Sequence, residues 1–168
     1  MTDELGRTWP DLAGRLTIDA DGGTRHVLPV RVYFEDTDFS GVVYHATYLR
    51  WCERGRSDFL RLLGNDHQAL LAGQDGREQA AFVVRRMGLE FLRPARIDEV
   101  LEVETRAVTL GAASIELAQS VCRADGDRKP IFEASVTVVL VSVTGKPMRI
   151  GPALRSRFTS GDAPALQR

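Results

Sequence analysis

The spacing of apolar residues changes once along the chain, and the change predicts a strand followed by a helix. Apolar and polar positions alternate through residues 30–35, directly after Pro29, as in a half-buried strand. From residue 46 to residue 63 the apolar positions recur at three- and four-residue steps, as on one face of an amphipathic helix. Gly64 and Asn65 follow as a stop signal. We therefore expect a strand that begins after the proline and then a long helix.

The rest of the chain has the pattern of strands, after a loop expected near residues 65–80. Residues 81–94 and 99–108 alternate, and residues 132–143 are apolar on both faces, as a central strand should be. The acidic, glycine-containing triplet at residues 125–127 is typical of a hairpin turn. These elements predict an α+β fold, in which an antiparallel sheet of about five strands wraps around a long central helix and buries it.

The length and composition are those of one domain with a real core. Of the 168 residues 43% are hydrophobic, so we expect a polar, flexible arm at 1–25, a single domain at 26–158 and a tail at 159–168. With 22 basic and 23 acidic residues the net charge is −1, which excludes a broad basic surface for nucleic acid.

The cysteines, the N-terminal residues and the longest apolar stretches together predict the cellular compartment. The two cysteines, Cys52 and Cys122, are far apart and outside any CxxC spacing, which favours a reducing compartment over a disulfide framework or a zinc site. The N-terminus lacks an apolar signal-peptide core. No stretch approaches the ~18–20 apolar residues of a transmembrane segment. We expect a cytoplasmic protein without a membrane span.

The junction between the first strand and the helix concentrates the candidate chemistry. Glu35, Asp36 and Asp38 lie there, followed by Gly41 and His45. Clustered aspartates after a strand are common turn formers and N-caps. A D-x-D pair can also hold Mg²⁺, although no further carboxylates and no phosphate-binding loop accompany it here.

A third interpretation of the junction is an acyl-transfer site. The first N–H groups of a helix have no intrahelical acceptors and carry the positive end of its dipole, so they can stabilise a carbonyl oxygen that becomes an oxyanion. A carboxylate just outside that end can attack the carbonyl or deprotonate a water molecule. The residue pattern permits all three interpretations.

A family resemblance favours the third. Residues 30–61, with the motifs EDTD and SGVVYHA, resemble the signature of the 4-hydroxybenzoyl-CoA thioesterase-like hotdog family, and most closely its YbgC-type acyl-CoA thioesterases of the tol–pal cluster. The likeness continues through residues 82–103, which include LRPARIDE, and residues 136–150. It covers about residues 28–158.

The resemblance implies a hotdog fold, a dimer or tetramer with active sites between subunits, and hydrolysis of acyl-CoA to free acid and CoA without metal or cofactor. The catalytic carboxylate of the family falls on Asp38, as nucleophile or general base. The oxyanion N–H falls at or next to His45, with Gly41 allowing a tight backbone before it, and Tyr44 with His45 matches the aromatic-His pair of the YbgC type.

Other residues carry less definite interpretations. His45 is either a second catalytic group or a cap and packing residue. We expect Asp36 to orient the loop, Glu53 to belong to a solvated charged face, and Cys52 to be a small core residue. Three arginines have the right chemistry for CoA phosphates, on faces that the sequence does not define: Arg85, Arg86 and Arg93.

Alternative functions and partners remain open at this level. A hotdog hydratase or dehydratase handles the same acyl carriers, and a non-catalytic acyl or acyl-carrier-binding protein is a rival of a different class. Acyl carrier protein is an alternative to CoA as the carrier. Peripheral association with the inner membrane would require partners.

Overall fold

A six-stranded antiparallel sheet wraps around one long helix. The computed structural model describes residues 12–18, 22–65, 67–73 and 78–159. In chain order the elements are β1 (Arg15–Ile18), β2 (Thr24–Arg31), a 3₁₀ turn (Phe34–Asp36), α1 (His45–Leu62), α2 (His67–Ala72), β3 (Ala80–Phe91), β4 (Val100–Leu110), β5 (Ser114–Arg123), β6 (Pro130–Ser142) and α3 (Pro152–Thr159). The strands lie in the order β1-β2-β4-β5-β6-β3, and each described pair is antiparallel.

Helix α1 confirms the helix expected over residues 46–63, and it begins and ends only one residue earlier than expected. Its apolar face buries Trp51 and Phe59 almost completely. Gly64 has a φ of +77°, and its N–H donates to the Arg61 carbonyl at 2.8 Å. The helix therefore stops where the glycine adopts the left-handed conformation that other residues avoid.

The contact between α1 and the sheet depends on Gly55. A Cβ atom at this position would lie 3.1 Å from Thr105 Oγ1 and 3.2 Å from Val103 Cγ1. Since both neighbours are fully buried, a larger residue would have to push the helix away from β4. The glycine allows the helix and the sheet to pack closely enough to exclude water.

The first strand and the strand count differ from the sequence-based expectation. The strand expected at residues 30–35 lies at Thr24–Arg31, and the residues after it form the 3₁₀ turn with Phe34 exposed. Pro29 sits inside the strand. It is tolerated because β1 pairs only with residues 24–27, so near the proline β2 has β4 as its one neighbour in the described sheet.

Strand β1 makes the sheet six-stranded rather than five-stranded, and it lies within the segment expected to be a flexible arm. Of that segment, residues 1–11 and 19–21 lie outside the described residues, as does the tail from residue 160 onward. The loop expected near residues 65–80 also contains the short helix α2.

The later strands agree with the pattern. The turn at residues 125–127 joins β5 to β6, and β6 is central, between β5 and β3. The acidic positions of β4 are less solvated than alternation suggests. Glu102 is buried on the outer face, where it forms ion pairs with Arg15 at 2.7 Å and Arg128 at 2.6 Å.

Within the described ranges, no helix has the length and apolar character needed to cross a membrane.

Candidate active site

Asp36 holds together the loop that leads from β2 to α1. Its Oδ2 accepts a hydrogen bond from the Tyr33 N–H at 2.9 Å. Its carbonyl accepts the Tyr44 N–H at 2.8 Å and, more weakly, the Thr47 hydroxyl at 3.3 Å. Asp36 thus ties the start of the loop to the start of the helix, as expected of a residue that orients the loop.

Asp38 points into solvent and is kept ionised by its neighbours. Its Oδ1 accepts the Ser40 N–H at 2.8 Å and the Ser40 hydroxyl. These two hydrogen bonds, and to a smaller extent the charge of His45, hold the pKa of Asp38 below its ordinary value. In the described part of the chain no hydrogen bond reaches Oδ2, so one carboxylate oxygen is available for chemistry.

A tight turn after Asp38 brings the chain back to the helix. Gly41 has a φ of +75°, and its N–H donates to the Asp38 carbonyl at 3.0 Å. The Asp38 N–H in turn donates to the Val42 carbonyl at 3.0 Å. Val43 then anchors the returning segment, since its N–H donates to the Ala95 carbonyl at 2.9 Å. The glycine conformation is what lets these few residues reverse direction.

The helix starts directly beyond this turn. Tyr44 has extended backbone angles and makes no side-chain capping hydrogen bond, so α1 begins at His45. The Thr47 N–H donates to the Tyr44 carbonyl at 2.9 Å, which leaves the N–H groups of His45 and Ala46 without an acceptor among the described residues, at the positive end of the helix dipole. The His45 ring is exposed, and its centroid lies 4.4 Å from that of the Tyr44 ring. It meets the Phe91 ring edge-on, with the two centroids 6.3 Å apart.

The structure brings the predicted site residues together and leaves the others apart. Asp38, Gly41, Tyr44 and His45 form one exposed loop and helix start. Glu53 lies two turns further along α1 with 59% of its side chain exposed, on the charged face expected for it. The three arginines considered for phosphate binding are exposed on β3 and just after it: Arg85, Arg86 and Arg93.

Cys52 is not a nucleophile in this fold. Its side chain is fully buried in the core, and burial raises the pKa of its thiol to about 12. The thiol is therefore protonated at neutral pH and out of reach of substrate.

The sequence analysis missed a buried polar pair between β2 and α1. His26 is fully buried, and its Nε2 lies 2.8 Å from Asp58 Oδ2. Asp58 is also paired with Arg61. The available signal was the alternation of residues 24–31, which places His26 on the buried face of β2. Within the described residues no group of three or more metal-ligating side chains is gathered as a metal site would require.

The fold thus places an antiparallel sheet around one long helix and an exposed carboxylate in the turn just before that helix begins. The family profile described as "Thioesterase superfamily" matches residues 40–129, more than half of the chain. The chain therefore belongs to the thioesterase superfamily, has the hotdog fold of that family, and is a thioester hydrolase.

Individual relatives agree with this assignment. The acyl-CoA thioesterase YbgC of Haemophilus influenzae is 44% identical over 131 residues, which cover 77% of this chain and 91% of the relative. The acyl-CoA thioester hydrolase YbgC of Escherichia coli O6:H1 is 41% identical over 124 residues, covering 74% and 84%. The crystal structure of a probable thioesterase from Bartonella henselae is 42% identical with a TM-score of 0.70, and the match covers 76% of this chain and 99% of that one.

Proposed function

We propose that this protein hydrolyses acyl-CoA thioesters to the free acid and CoA. The observation that carries the proposal is the position of Asp38, an ionised and exposed carboxylate in the turn that leads into the first N–H groups of α1. The relatives named YbgC, which are 41% and 44% identical to this chain, are acyl-CoA thioesterases.

The proposed reaction begins with the thioester carbonyl at the start of α1. Its oxygen accepts a hydrogen bond from the N–H at or next to His45, and the helix dipole stabilises the negative charge that develops there. The leaving group is the CoA thiolate.

Asp38 can act in one of two ways. As nucleophile, its free oxygen attacks the carbonyl carbon, CoA thiolate leaves, and water hydrolyses the resulting aspartyl anhydride. As general base, Asp38 takes a proton from water while that water attacks the carbonyl, and the proton then passes to the departing thiolate. Both routes end in free acid and CoA and need no metal. In the general-base route His45 is the second group able to carry the proton.

Replacing Asp38 by asparagine tests the proposal. The amide oxygen can still accept both hydrogen bonds from Ser40, so the turn should survive, while the charge and the reactive lone pair are lost. We expect kcat for CoA release to fall by about 100-fold or more, since general-base assistance alone contributes roughly 10²–10⁴. Retention of more than a tenth of the wild-type kcat, an effect below ~1.4 kcal/mol, would contradict the assignment.

Asp36→Asn is the matched control. Asp36 bonds the Tyr33 N–H through one carboxylate oxygen, and an asparagine oxygen can do the same, so its effect should be much milder. Equal losses at both positions would indicate a structural turn or a metal site instead. A single turnover in ¹⁸O-water separates the two routes, because label enters Asp38 itself only if an anhydride forms.

The same assays distinguish the rival functions. A hydratase or dehydratase would convert enoyl or hydroxyacyl thioesters without releasing CoA, and a non-catalytic binder would retain acyl-CoA unchanged. Parallel assays with acyl-CoA and acyl-carrier-protein thioesters of the same chain decide which carrier is preferred.

We also propose that the protein is a cytoplasmic homo-oligomer, a dimer or a tetramer. Strand β3 is twelve residues long and lies at one edge of the sheet. Val83 and Val84 on it are 43% and 45% exposed. A long edge strand with exposed apolar residues is normally covered by another chain.

A further inference from the structure

A groove made of two neighbouring spaces runs along one face of α1, beyond the candidate active site. The helix residues that line it recur at three- and four-residue steps on one stripe, on which His45 lies one turn earlier: Leu49, Glu53, Arg56 and Leu60. The opposite wall is strand β3. Phe91 on this strand contacts the His45 ring, so α1 and β3 also face each other at the candidate site, one helical turn before Leu49.

The first part of the groove is an open depression of about 430 Å³. Leu49 of α1 and Met87 of β3 are its apolar walls, and the rest of its lining is charged: Arg50, Glu53, Arg54 and Arg56. The depression therefore offers apolar surface to a chain that leaves the active site along the helix.

The second part is a smaller cavity of about 70 Å³ behind the charged pair of Glu53 and Arg56. Most of its walls are aromatic and aliphatic side chains from α1, β3, β5, β6 and α3, among them Phe59, Phe82, Leu117 and Phe158. A water-sized group needs roughly 10–15 Å³ of such space, so the cavity can take several. Apolar cavities of this kind accept hydrocarbons rather than water.

Arg56 stands between the two spaces and cannot swing aside freely. Only 9% of its side chain is exposed. Its Nη1 donates to Gln119 Oε1 at 2.7 Å, and its Nη2 is paired with Glu53. Glu53 and Arg56 line both the depression and the cavity.

Gln119 gives this arrangement its rigidity. The side chain is 3% exposed, and its amide donates to the Cys52 carbonyl at 2.9 Å and to Thr105 Oγ1 at 2.8 Å. These two bonds fix the orientation of the amide, which leaves its oxygen pointing at Arg56. A buried glutamine on the sheet thus holds a charged group of the helix in the path of the groove.

We propose that Arg56, positioned by Gln119 and paired with Glu53, determines the length of the acyl chain that the enzyme accepts. The chain would lie in the depression with its methyl end against the charged pair, because an apolar chain that pushed past would have to desolvate or break that pair. The cavity behind it stays closed to substrate. The inference rests on the proposed thioesterase function and adds the substrate class, medium-chain aliphatic acyl groups.

The expected chain length follows from the helix. His45 and Glu53 are eight residues apart, which is about 12 Å along the axis. An extended hydrocarbon of about eight to ten carbons spans that distance.

The test compares kcat/KM for butanoyl-, octanoyl-, decanoyl-, tetradecanoyl-, hexadecanoyl- and benzoyl-CoA in the wild type and Arg56→Met. The methionine keeps an apolar stem and removes the charge. We expect the wild type to prefer octanoyl- or decanoyl-CoA, and the variant to raise the hexadecanoyl-to-decanoyl ratio by at least about tenfold. Activity on benzoyl-CoA, which does not reach Arg56, should stay within about twofold.

Two further variants keep the test decisive. Glu53→Ala changes an exposed residue, so it should fold even if Arg56→Met does not, and it should shift the ratio in the same direction by about threefold. Arg149→Met, an exposed arginine outside the groove, should change nothing. A wild type that already prefers hexadecanoyl-CoA, or variants with an unchanged ratio, would refute the role of Arg56 in selecting chain length but not the thioesterase function. Absence of CoA release from every substrate would refute the thioesterase function itself.

Discussion

The buried imidazole of His26 should make the fold sensitive to mild acid. Its Nε2–H donates to Asp58 Oδ2 at 2.8 Å. Among the described residues nothing accepts a hydrogen bond from Nδ1, which is itself buried. Protonation would place a charge and an unsatisfied donor in the core. Burial is the main reason that the pKa of His26 is lowered, and the positive charges of Arg61 and Arg15 act in the same direction, against the opposing effect of Asp58.

The sign of the effect follows from proton linkage. The folded-state pKa of His26 lies below its ordinary value of 6.5, so between the two values the unfolded chain binds more protons. The free energy of unfolding should therefore fall as the pH drops below about 6.5, until the folded-state pKa is passed. One proton gives a slope of at most about 1.4 kcal/mol per pH unit.

Asp58 affects the free energy of unfolding at lower pH than His26 does. Burial acts to raise its pKa, but hydrogen bonds from Arg61 and His26 outweigh burial and hold the pKa below the ordinary value of 3.8. The stability that Asp58 supplies is therefore lost only in stronger acid, as the pH falls below about 3.8.

Urea unfolding at pH 7.5, 6.5 and 5.5, followed by the fluorescence of the buried Trp51 at one protein concentration, measures the effect. The matched variant is His26→Gln, because its amide N–H can still donate to Asp58 but does not titrate. We expect the wild type to lose stability between pH 6.5 and 5.5 and the variant to change much less. Parallel pH profiles for the two proteins would refute the reasoning.

Two further predictions concern the site and the assembly. Ser40→Ala removes the hydroxyl hydrogen bond that most lowers the pKa of Asp38, so the acid limb of the kcat/KM profile should move to higher pH while the plateau changes little; an unmoved acid limb would show that another group sets it. The exposed edge strand β3 predicts an oligomer by light scattering at assay concentration, and a fully active monomer would contradict this.

The local sequence was sufficient to predict α1 and to predict that the candidate site residues lie in one segment. The helix and its stop at Gly64 follow from residue spacing and from the conformational freedom of glycine, both of which are properties of neighbouring residues. Asp38 and His45 are seven positions apart and share one turn and one helix start. Because the chain itself brings them together, a short motif is enough to specify them.

The tertiary structure decided what depends on distant partners. The sequence placed Pro29 at a strand start, whereas the pairing of β2 with β1 and β4 puts it inside the strand. His26 and Asp58 are 32 positions apart. Arg56 and Gln119 are 63 positions apart. Periodicity shows which face of an element is buried, but sheet register and helix packing select the residue that lies opposite. The pairing of His26 with Asp58 and the fixed position of Arg56 therefore depend on the tertiary structure.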